Sequence, residues 1–290
     1  VDATCFDDLS GNSYAGISAK TTWNFTTEDI TDPVVSAFSP VDGASAVSIN
    51  ANLTITFSEP VNAGTGNIRI IRSSDAVVFE SIPVGDPRVT GGGSDAITIN
   101  PNGTFLSETA YYVEIDATGF DDLAGNSYAG IADSTTWNFY TEDITAPTVA
   151  AFSPADNAVA VGINADLVIT FTEAVNAASG DIRIRRSADN LLFESIPVTD
   201  ARVSGSGTDV ITVNPDGTFA GEAGYYVQID ATAFNDLAGN GYAGITDNST
   251  WNFTSEDITN PTVLTFDPAD DATGVGINAD LVITFDEPAA

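Results

Sequence analysis

The stretch Leu53-Thr54-Ile55-Thr56-Phe57 alternates apolar and polar residues, so its three apolar side chains point to one side of an extended strand. The pattern returns at Leu167-Val168-Ile169-Thr170-Phe171 and at Leu281-Val282-Ile283-Thr284-Phe285, each time 114 residues later. Outward from this strand, Pro33–Ala146 aligns with Pro147–Asn260 without a gap, and 74 of the 114 positions are identical. A fixed period of this length indicates one small domain copied along the chain.

The period divides the chain into two complete repeats flanked by two partial ones. We predict domains at residues 1–29, 30–143, 144–257 and 258–290. The first segment matches the end of a repeat and the last matches its start, and together they lack the stretch equivalent to Ala63–Glu114. We therefore expect an excerpt from a longer array. The alternative is a subunit whose open ends are completed by strands of other chains.

Alternation of period two runs through the whole repeat, and turn residues such as Gly, Pro and Asn separate the alternating runs. We predict seven strands in the repeat that begins at Pro33, near residues 34–39, 52–58, 67–72, 77–84, 95–100, 110–116 and 135–141. Seven short antiparallel strands in a domain of this size are typical of the immunoglobulin-type sandwich. The sequence therefore predicts an all-β fold of tandem Ig-like Greek-key β-sandwiches.

The aromatic residues of the repeat fall into two groups. Trp23, Trp137 and Trp251 are spaced 114 apart on the last strand, and we predict that they are core residues. Tyr112 and Tyr226 alternate to the outward face, where they either pack across strands or stack against sugar rings.

The chain is strongly acidic. It contains 41 Asp and Glu residues against eight Lys and Arg residues, which gives a net charge of −33. Such a surface excludes nucleic acid as a partner and disfavours docking on an anionic membrane. The single cysteine, Cys5, allows no disulfide within the chain, and no apolar run is long enough to span a bilayer. The charge repels itself, so divalent cations are the expected compensation.

Four motifs of the second repeat resemble a known family. They are Phe152-Ser-Pro-Ala-Asp156, Leu167-Val-Ile-Thr-Phe-Thr-Glu173, Asn235-Asp-Leu-Ala-Gly-Asn240 and Trp251-Asn-Phe253. Together they look like the bacterial Ig-like domains of S-layer proteins and giant repeat adhesins, and the resemblance covers all four segments of the chain. It implies an extracellular or cell-surface protein with a structural or adhesive role, and in some such families calcium at the domain junctions.

Strand alternation gathers scattered acids at the end of each domain where the linker enters. Carboxylate and amide oxygens converging from several loops are the ligands that Ca²⁺ takes, so we predict several Ca²⁺ ions at the junctions. The candidate ligands of the first junction are Glu28, Asp29, Glu59, Asp86, Asp116, Asp122 and Asn126. Those of the second are Glu142, Asp143, Glu173, Asp200, Asp230, Asp236 and Asn240. Those of the third are Glu256, Asp257 and Glu287.

Two plainer interpretations compete with the metal hypothesis. In a chain this acidic, the carboxylates can be a solvated surface. Asp236 and Asn240 can instead cap a tight turn in which Gly239 supplies a positive φ. The Arg residues of the middle strands are expected to pair with acids across the sheet.

Catalysis is not expected from this sequence. Without histidine there is no Ser-His-Asp triad, no Cys-His pair and no usual zinc site, so we predict that the segment is not an enzyme. We expect a structural repeat segment of a stalk, filament or coat, with neighbouring repeats or copies of itself as partners. The alternatives are multivalent adhesin repeats that bind surface glycans, and accessory modules of a secreted enzyme.

Overall fold

A computed structural model describes residues 1–288 of the chain, and every regular element in them is a β-strand. The chain divides into two compact units, Val1–Asp143 and a second that begins at Ile144. Each unit contains one complete repeat and one partial repeat. Among the described residues, no helix is long and apolar enough to cross a bilayer.

The complete repeat of the first unit has ten strands. They are β1 (Val35–Ser39), β2 (Ala44–Val47), β3 (Leu53–Ala63), β4 (Asn67–Arg72), β5 (Val77–Pro83), β6 (Val89–Thr90), β7 (Ser94–Ile99), β8 (Ala110–Ile115), β9 (Phe120–Asp122) and β10 (Asn138–Thr141).

These strands form two sheets. The first has the order β1-β3-β7-β6, with β9 also paired to β3, and the second has the order β2-β10-β8-β4-β5. All pairings are antiparallel except that of β2 with β10, which is parallel and aligns Phe139 with Ala44 and Thr141 with Val47. Two facing sheets with strands that cross between them confirm the predicted Ig-like sandwich.

Strand β3 is longer than the alternation pattern predicts. On one edge it pairs with β1 as far as Phe57 and then with β9, where Val61 lies opposite Asp122. On the other edge it stays paired with β7, and the register shifts between Thr56 and Val61. The register shift bends the strand and places Glu59 and Pro60 where it changes partner, as irregularities in a β-ladder do. The predicted end of this strand at residue 58 was therefore wrong.

The complete repeat of the second unit follows the same plan. Its strands are β11 (Val149–Ser153), β12 (Ala158–Val161), β13 (Leu167–Ala177), β14 (Asp181–Arg186), β15 (Leu192–Pro197), β16 (Val203–Ser204), β17 (Thr208–Val213), β18 (Gly224–Ile229), β19 (Phe234–Asp236) and β20 (Asn252–Ser255). The final partial repeat contributes an antiparallel pair, β21 (Val263–Asp267) and β22 (Val282–Phe285).

Each sandwich encloses its own apolar core. In the first unit Leu53, Ile55 and Phe57 are buried, as the opening alternation predicts, and Trp137 is fully buried. The Trp137 ring stacks on Phe38 with ring centroids 4.6 Å apart, and its indole nitrogen donates to the carbonyl oxygen of Pro40 at 2.9 Å. Trp251 makes the equivalent contacts in the second unit, so both were predicted correctly as core residues.

One aromatic prediction was wrong. Trp23 is 70 % exposed, because residues 1–34 form only an isolated bridge and supply no sheet to cover it. Tyr226 is packed rather than open to solvent: it is 5 % exposed, and its hydroxyl donates to Asn190 Oδ1 at 3.2 Å. Its counterpart Tyr112 is half-buried.

Candidate metal centre

Three carboxylates meet where the chain enters the first complete repeat. Asp29 lies shortly before β1, Glu59 lies at the bend of β3, and Asp122 is the last residue of β9. One carboxylate oxygen from each residue lies within 4.8 Å of the other two. The bend of β3 and its pairing with β9 therefore bring together residues that are far apart in sequence.

Asp122 is held by the turn that follows it. Its Oδ1 accepts backbone N–H groups from Ala124, Gly125 and Asn126 at 2.7–2.8 Å, and its Oδ2 accepts the side-chain amide of Asn126 at 2.8 Å. Gly125 has a φ of +97°, which only glycine adopts readily. These donors, led by the Asn126 side chain, lower the pKa of Asp122, so it stays a carboxylate although it is buried.

Asp29 is fixed by its own short turn and by the same asparagine. Its Oδ1 accepts the backbone N–H of Thr31 at 3.0 Å and the Thr31 hydroxyl at 2.5 Å, and the Thr31 side chain is the largest cause of its lowered pKa. The carbonyl oxygen of Asp29 accepts Asn126 Nδ2 at 3.1 Å. Asn126 therefore connects the entering segment to the loop after β9.

Glu59 experiences the opposite electrostatic effect. Its pKa is raised, first by burial and then by the negative charges of Asp29 and Asp122. None of the ion pairs within residues 1–288 includes any of these three carboxylates. Three close carboxylates, one exposed, one half-buried and one buried, have no basic partner and match the hard oxygen ligands that Ca²⁺ prefers, so the donor set fits a divalent cation.

The repeat architecture is matched by comparison with known proteins. Residues 29–141 and 143–255 each match the family model described as the bacterial Ig-like domain. The chain belongs to this family. A comparison with curated proteins found no match.

Solved structures that resemble this chain have low sequence identity to it and low TM-scores. A biofilm-associated protein, BSP domain, is 14 % identical with a TM-score of 0.21, and the match covers 79 % of this chain and 30 % of that one. The N-terminal part of the bacterial S-layer protein SbsC is 14 % identical with a TM-score of 0.27, covering 78 % and 45 %. An I-band fragment of titin is 9 % identical with a TM-score of 0.32, covering 80 % and 70 %. The chain thus spans less than half the length of the first two, and likeness at this level carries no functional information.

Four other predicted ligands of the Ig-like domains have arginine partners instead. Asp86 pairs with Arg88 at 3.0 Å, and Arg88 lowers its pKa. Asp116 accepts the backbone N–H of Asn67 at 2.9 Å and pairs with Arg69 at 2.8 Å. In the second unit Asp200 pairs with Arg202 at 3.0 Å, and Asp230 accepts from Arg183 Nη2 at 2.9 Å.

The glutamates before each linker also have structural partners. Glu142 Oε1 accepts the backbone N–H of Ile49 at 2.9 Å, and Glu256 Oε1 accepts that of Ile163 at 2.9 Å. Glu28 is exposed.

The prediction that Arg residues pair across the sheet is confirmed by Arg69 on β4, which contacts Glu114 on β8 at 3.2 Å. Strand register, which the sequence does not display, decides which acids receive these arginines.

The second Ig-like domain repeats the ligand types of the first. Glu173 lies in β13, and Asp236 ends β19, where it is 2 % exposed and accepts the backbone N–H and the side-chain amide of Asn240 at 2.8 and 2.7 Å. By sequence, Asp143 occupies the position of Asp29. The Asx-turn interpretation of the Asp-Leu-Ala-Gly-Asn segment is therefore confirmed in both copies.

The last predicted group is smaller. Asp257 accepts the backbone N–H and the hydroxyl of Thr259 at 2.8 and 2.6 Å, as Asp29 does with Thr31. The pKa of Glu287 is raised by burial and by a hydrogen bond to Asp257. Burial beside a second acid therefore raises the pKa of a glutamate here, as it does at Glu59.

Proposed function

We propose that this chain is a structural segment of a large secreted or cell-surface protein, where its Ig-like domains form part of a stalk, filament or coat. In this proposal the segment is not enzymatic, and Ca²⁺ bound where the chain enters each domain stiffens the array. Family membership, the gapless repeat and the charge of −33 support the structural role. A surface of one sign keeps such domains soluble and apart from one another.

The single observation that carries the calcium proposal is the Asp29–Glu59–Asp122 cluster. These residues come from the entering segment, the bend of β3 and the end of β9. A cation bound by all three would hold the entering segment against β3 and β9. The pKa of Glu59 is raised first by burial and then by the charges of Asp29 and Asp122, so a cation would favour a carboxylate that is otherwise disfavoured there.

The proposal extends to the later copies through their sequence. Asp143, Glu173 and Asp236 stand 114 positions after Asp29, Glu59 and Asp122, and Asp257 and Glu287 continue the series. A calcium ligand set that recurs once per repeat would give the array a regular response to calcium concentration.

Thermal unfolding of the whole chain tests the proposal. A ligand present at one hundred times its Kd stabilises the folded state by about 2.7 kcal/mol per site. We expect millimolar Ca²⁺ to raise the melting temperature relative to EDTA, and Mg²⁺ at the same concentration to have a much smaller effect. Equal melting temperatures in Ca²⁺, Mg²⁺ and EDTA at matched ionic strength would rule out the calcium proposal.

A matched pair of variants assigns the effect to the cluster. Glu59→Gln removes one candidate ligand, whereas Asp95→Asn removes one exposed acid from β7, outside the cluster. We expect the calcium-induced rise of the first unit to fall sharply in Glu59→Gln and to persist in Asp95→Asn. Equal responses of the two variants would mean that calcium acts only through the overall charge.

A further inference from the structure

A cavity opens on the outward face of the second sheet of unit 1, with a volume of about 380 Å³. Its lining comes from two neighbouring strands, β8 and β10, and from two loops. The residues are Ser73, Ala76, Ala110, Tyr111, Tyr112, Ser134 and Asn138. The size lies within the range of small-molecule pockets, and the lining combines an aromatic side chain with hydroxyl and amide groups.

Hydrogen bonds within the domain fix the position of the Asn138 side chain in the cavity. Asn138 lies directly opposite Tyr112 on the neighbouring strand, and its side-chain nitrogen donates to Asp42 Oδ1 at 2.9 Å. The same nitrogen also donates to the carbonyl oxygen of Thr135 at 3.5 Å, so both amide hydrogens have protein acceptors and the amide oxygen is left as an acceptor. Within residues 1–288 no hydrogen bond involves the hydroxyl groups of Ser73, Ser134 or Tyr112, so they can serve a ligand.

A second aromatic residue flanks the cavity. Tyr140 is 43 % exposed on β10 and lies opposite Ala110, a lining residue. Because side chains alternate along a strand, Tyr140 and Asn138 share the outward face with Tyr112. Diagonal neighbours on such a face lie within reach of long aromatic side chains, so Tyr140 is placed to extend the aromatic side of the cavity.

The second unit lacks these features at the equivalent positions. Asn190 replaces Ala76, lies 3.2 Å from the Tyr226 hydroxyl, and leaves Tyr226 only 5 % exposed. Arg185, which replaces Ile71, donates to the carbonyl oxygen of Asn190 at 3.0 Å and holds the loop in place. Thr254 stands where unit 1 has Tyr140. Two nearly identical domains therefore differ at the residues that keep the tyrosine face open.

We infer that the first Ig-like domain binds a neutral saccharide unit in the cavity formed by Tyr112, Ser134 and Asn138, and that the second domain does not. No lining residue carries a formal charge, which disfavours ionic ligands, and the net charge of −33 further repels anions. A sugar ring offers an apolar face to the tyrosines and hydroxyl groups to the serine and asparagine groups. The inference is independent of the proposed calcium site.

Amide NMR of the isotope-labelled whole chain tests the inference, with chitobiose, cellobiose and mannobiose titrated separately in EDTA. We expect at least one disaccharide to shift the signals of Tyr112, Ser134 and Asn138, while those of Tyr226, Asn248 and Asn252 stay unchanged. No shift with any of the three sugars, or equal shifts in both domains, would overturn the inference. Because EDTA is present throughout, the result does not depend on calcium.

Ala76→Asn is the decisive variant, since it copies the residue that covers the tyrosine in unit 2. Ala76 has a φ of +56° and Asn190 a φ of +60°, and asparagine tolerates this conformation better than alanine, so the variant should fold. We expect it to weaken sugar binding on the order of tenfold or more, which corresponds to about 1.4 kcal/mol. Tyr140→Thr should weaken binding by a smaller factor.

Asn190→Ala serves as the matched control on the other domain. It should leave the sugar-induced shifts of unit 1 unchanged. Unaltered binding by Ala76→Asn, or loss of binding in Asn190→Ala, would place the sugar elsewhere and overturn the inference.

Discussion

Trp23 and Trp137 occupy the same position of the repeat, yet the first is 70 % exposed and the second is fully buried. Trp137 stacks on Phe38 and donates to the Pro40 carbonyl, whereas within residues 1–288 the Trp23 ring has neither a stacking partner nor a hydrogen bond. The burial of this tryptophan therefore depends on the facing strands rather than on its local sequence. The same residue type at the same position of the repeat therefore contributes to stability only where neighbouring strands cover it.

The acidic residues teach the same lesson. Asp86 has Arg88 beside it and a lowered pKa, while Glu59 has two carboxylates beside it and a raised pKa. An arginine partner makes an acid part of the scaffold, and a carboxylate neighbour makes it a candidate ligand.

The largest expected effect comes from the tryptophan pair. Trp137→Ala removes a fully buried ring and should lower the free energy of unfolding of the first unit by about 4 kcal/mol. Trp23→Ala should leave that free energy nearly unchanged. Urea unfolding followed through the NMR signals of each unit measures both. Similar losses in the two variants would mean that Trp23 is also buried in solution.

The next largest effect is expected at the arginine-paired acids, as a pH-dependent change in the free energy of unfolding. Arg202 lowers the pKa of Asp200 to about 2, below its ordinary value of about 4. A lowered pKa contributes stability that is present above the ordinary value and is lost as the pH falls through the lowered one. Asp200→Asn should therefore destabilise the second unit at neutral pH, and its difference from the parent chain should disappear as the pH falls below 2. A difference in unfolding free energy that persists in acid would contradict this electrostatic origin.

The clustered acids should respond with the opposite sign. The raised pKa of Glu59 means that its protonated form is favoured by folding, so this stability is present at low pH and lost as the pH rises through the raised pKa. In EDTA at neutral pH, Glu59→Gln should raise the melting temperature of the first unit modestly. Asp86→Asn should lower it. The test is whether the melting temperature changes in opposite directions in the two variants. A lower melting temperature in Glu59→Gln would contradict the raised pKa of Glu59.

The smallest expected effect distinguishes the two copies at one hydrogen bond. In unit 1 the Ser127 hydroxyl donates to Asp121 at 2.6 Å, whereas in unit 2 Gly241 replaces the serine and Asn235 Oδ1 is buried without a partner among the described residues. Gly241→Ser should restore this bond and add about 1 kcal/mol to the unfolding free energy, once Thr232 Cγ2 moves aside.

Gly239→Ser is the contrasting variant. Gly239 has a φ of +99°, so a side chain there should destabilise the same loop. Urea unfolding of the second unit compares the two substitutions, and a loss of stability in Gly241→Ser would show that the steric cost exceeds the hydrogen bond.

Much of the fold is visible in the sequence because alternation reports burial directly, as at Leu53, Ile55 and Phe57. Strands β2, β6 and β9 were missed because runs of two to four residues are too short to show a period. The extent of β3 was missed because it depends on a change of partner from β1 to β9. The burial of Tyr226 depends on Asn190, thirty-six positions away, which no local pattern reveals.

The candidate site was only partly accessible from sequence. Topology correctly suggested that Asp29, Glu59 and Asp122 approach one another. It could not separate them from Asp86 and Asp116, because the arginines that engage those acids are selected by strand register and loop geometry. The sequence therefore indicates the end of the domain where the acids gather. Which of these acids lack a basic neighbour is visible only in the folded structure.

The parallel pairing of β2 with β10 has a mechanical consequence. Near the start of the domain Ala44 aligns with Phe139, and Val47 aligns with Thr141 shortly before the chain leaves. A pull on the two ends of the domain would draw these parallel strands in opposite directions along their length. Their hydrogen bonds would then be loaded together in shear instead of being unzipped one at a time. The same geometry recurs between β12 and β20, so the two complete domains would resist extension at the same pair of strands.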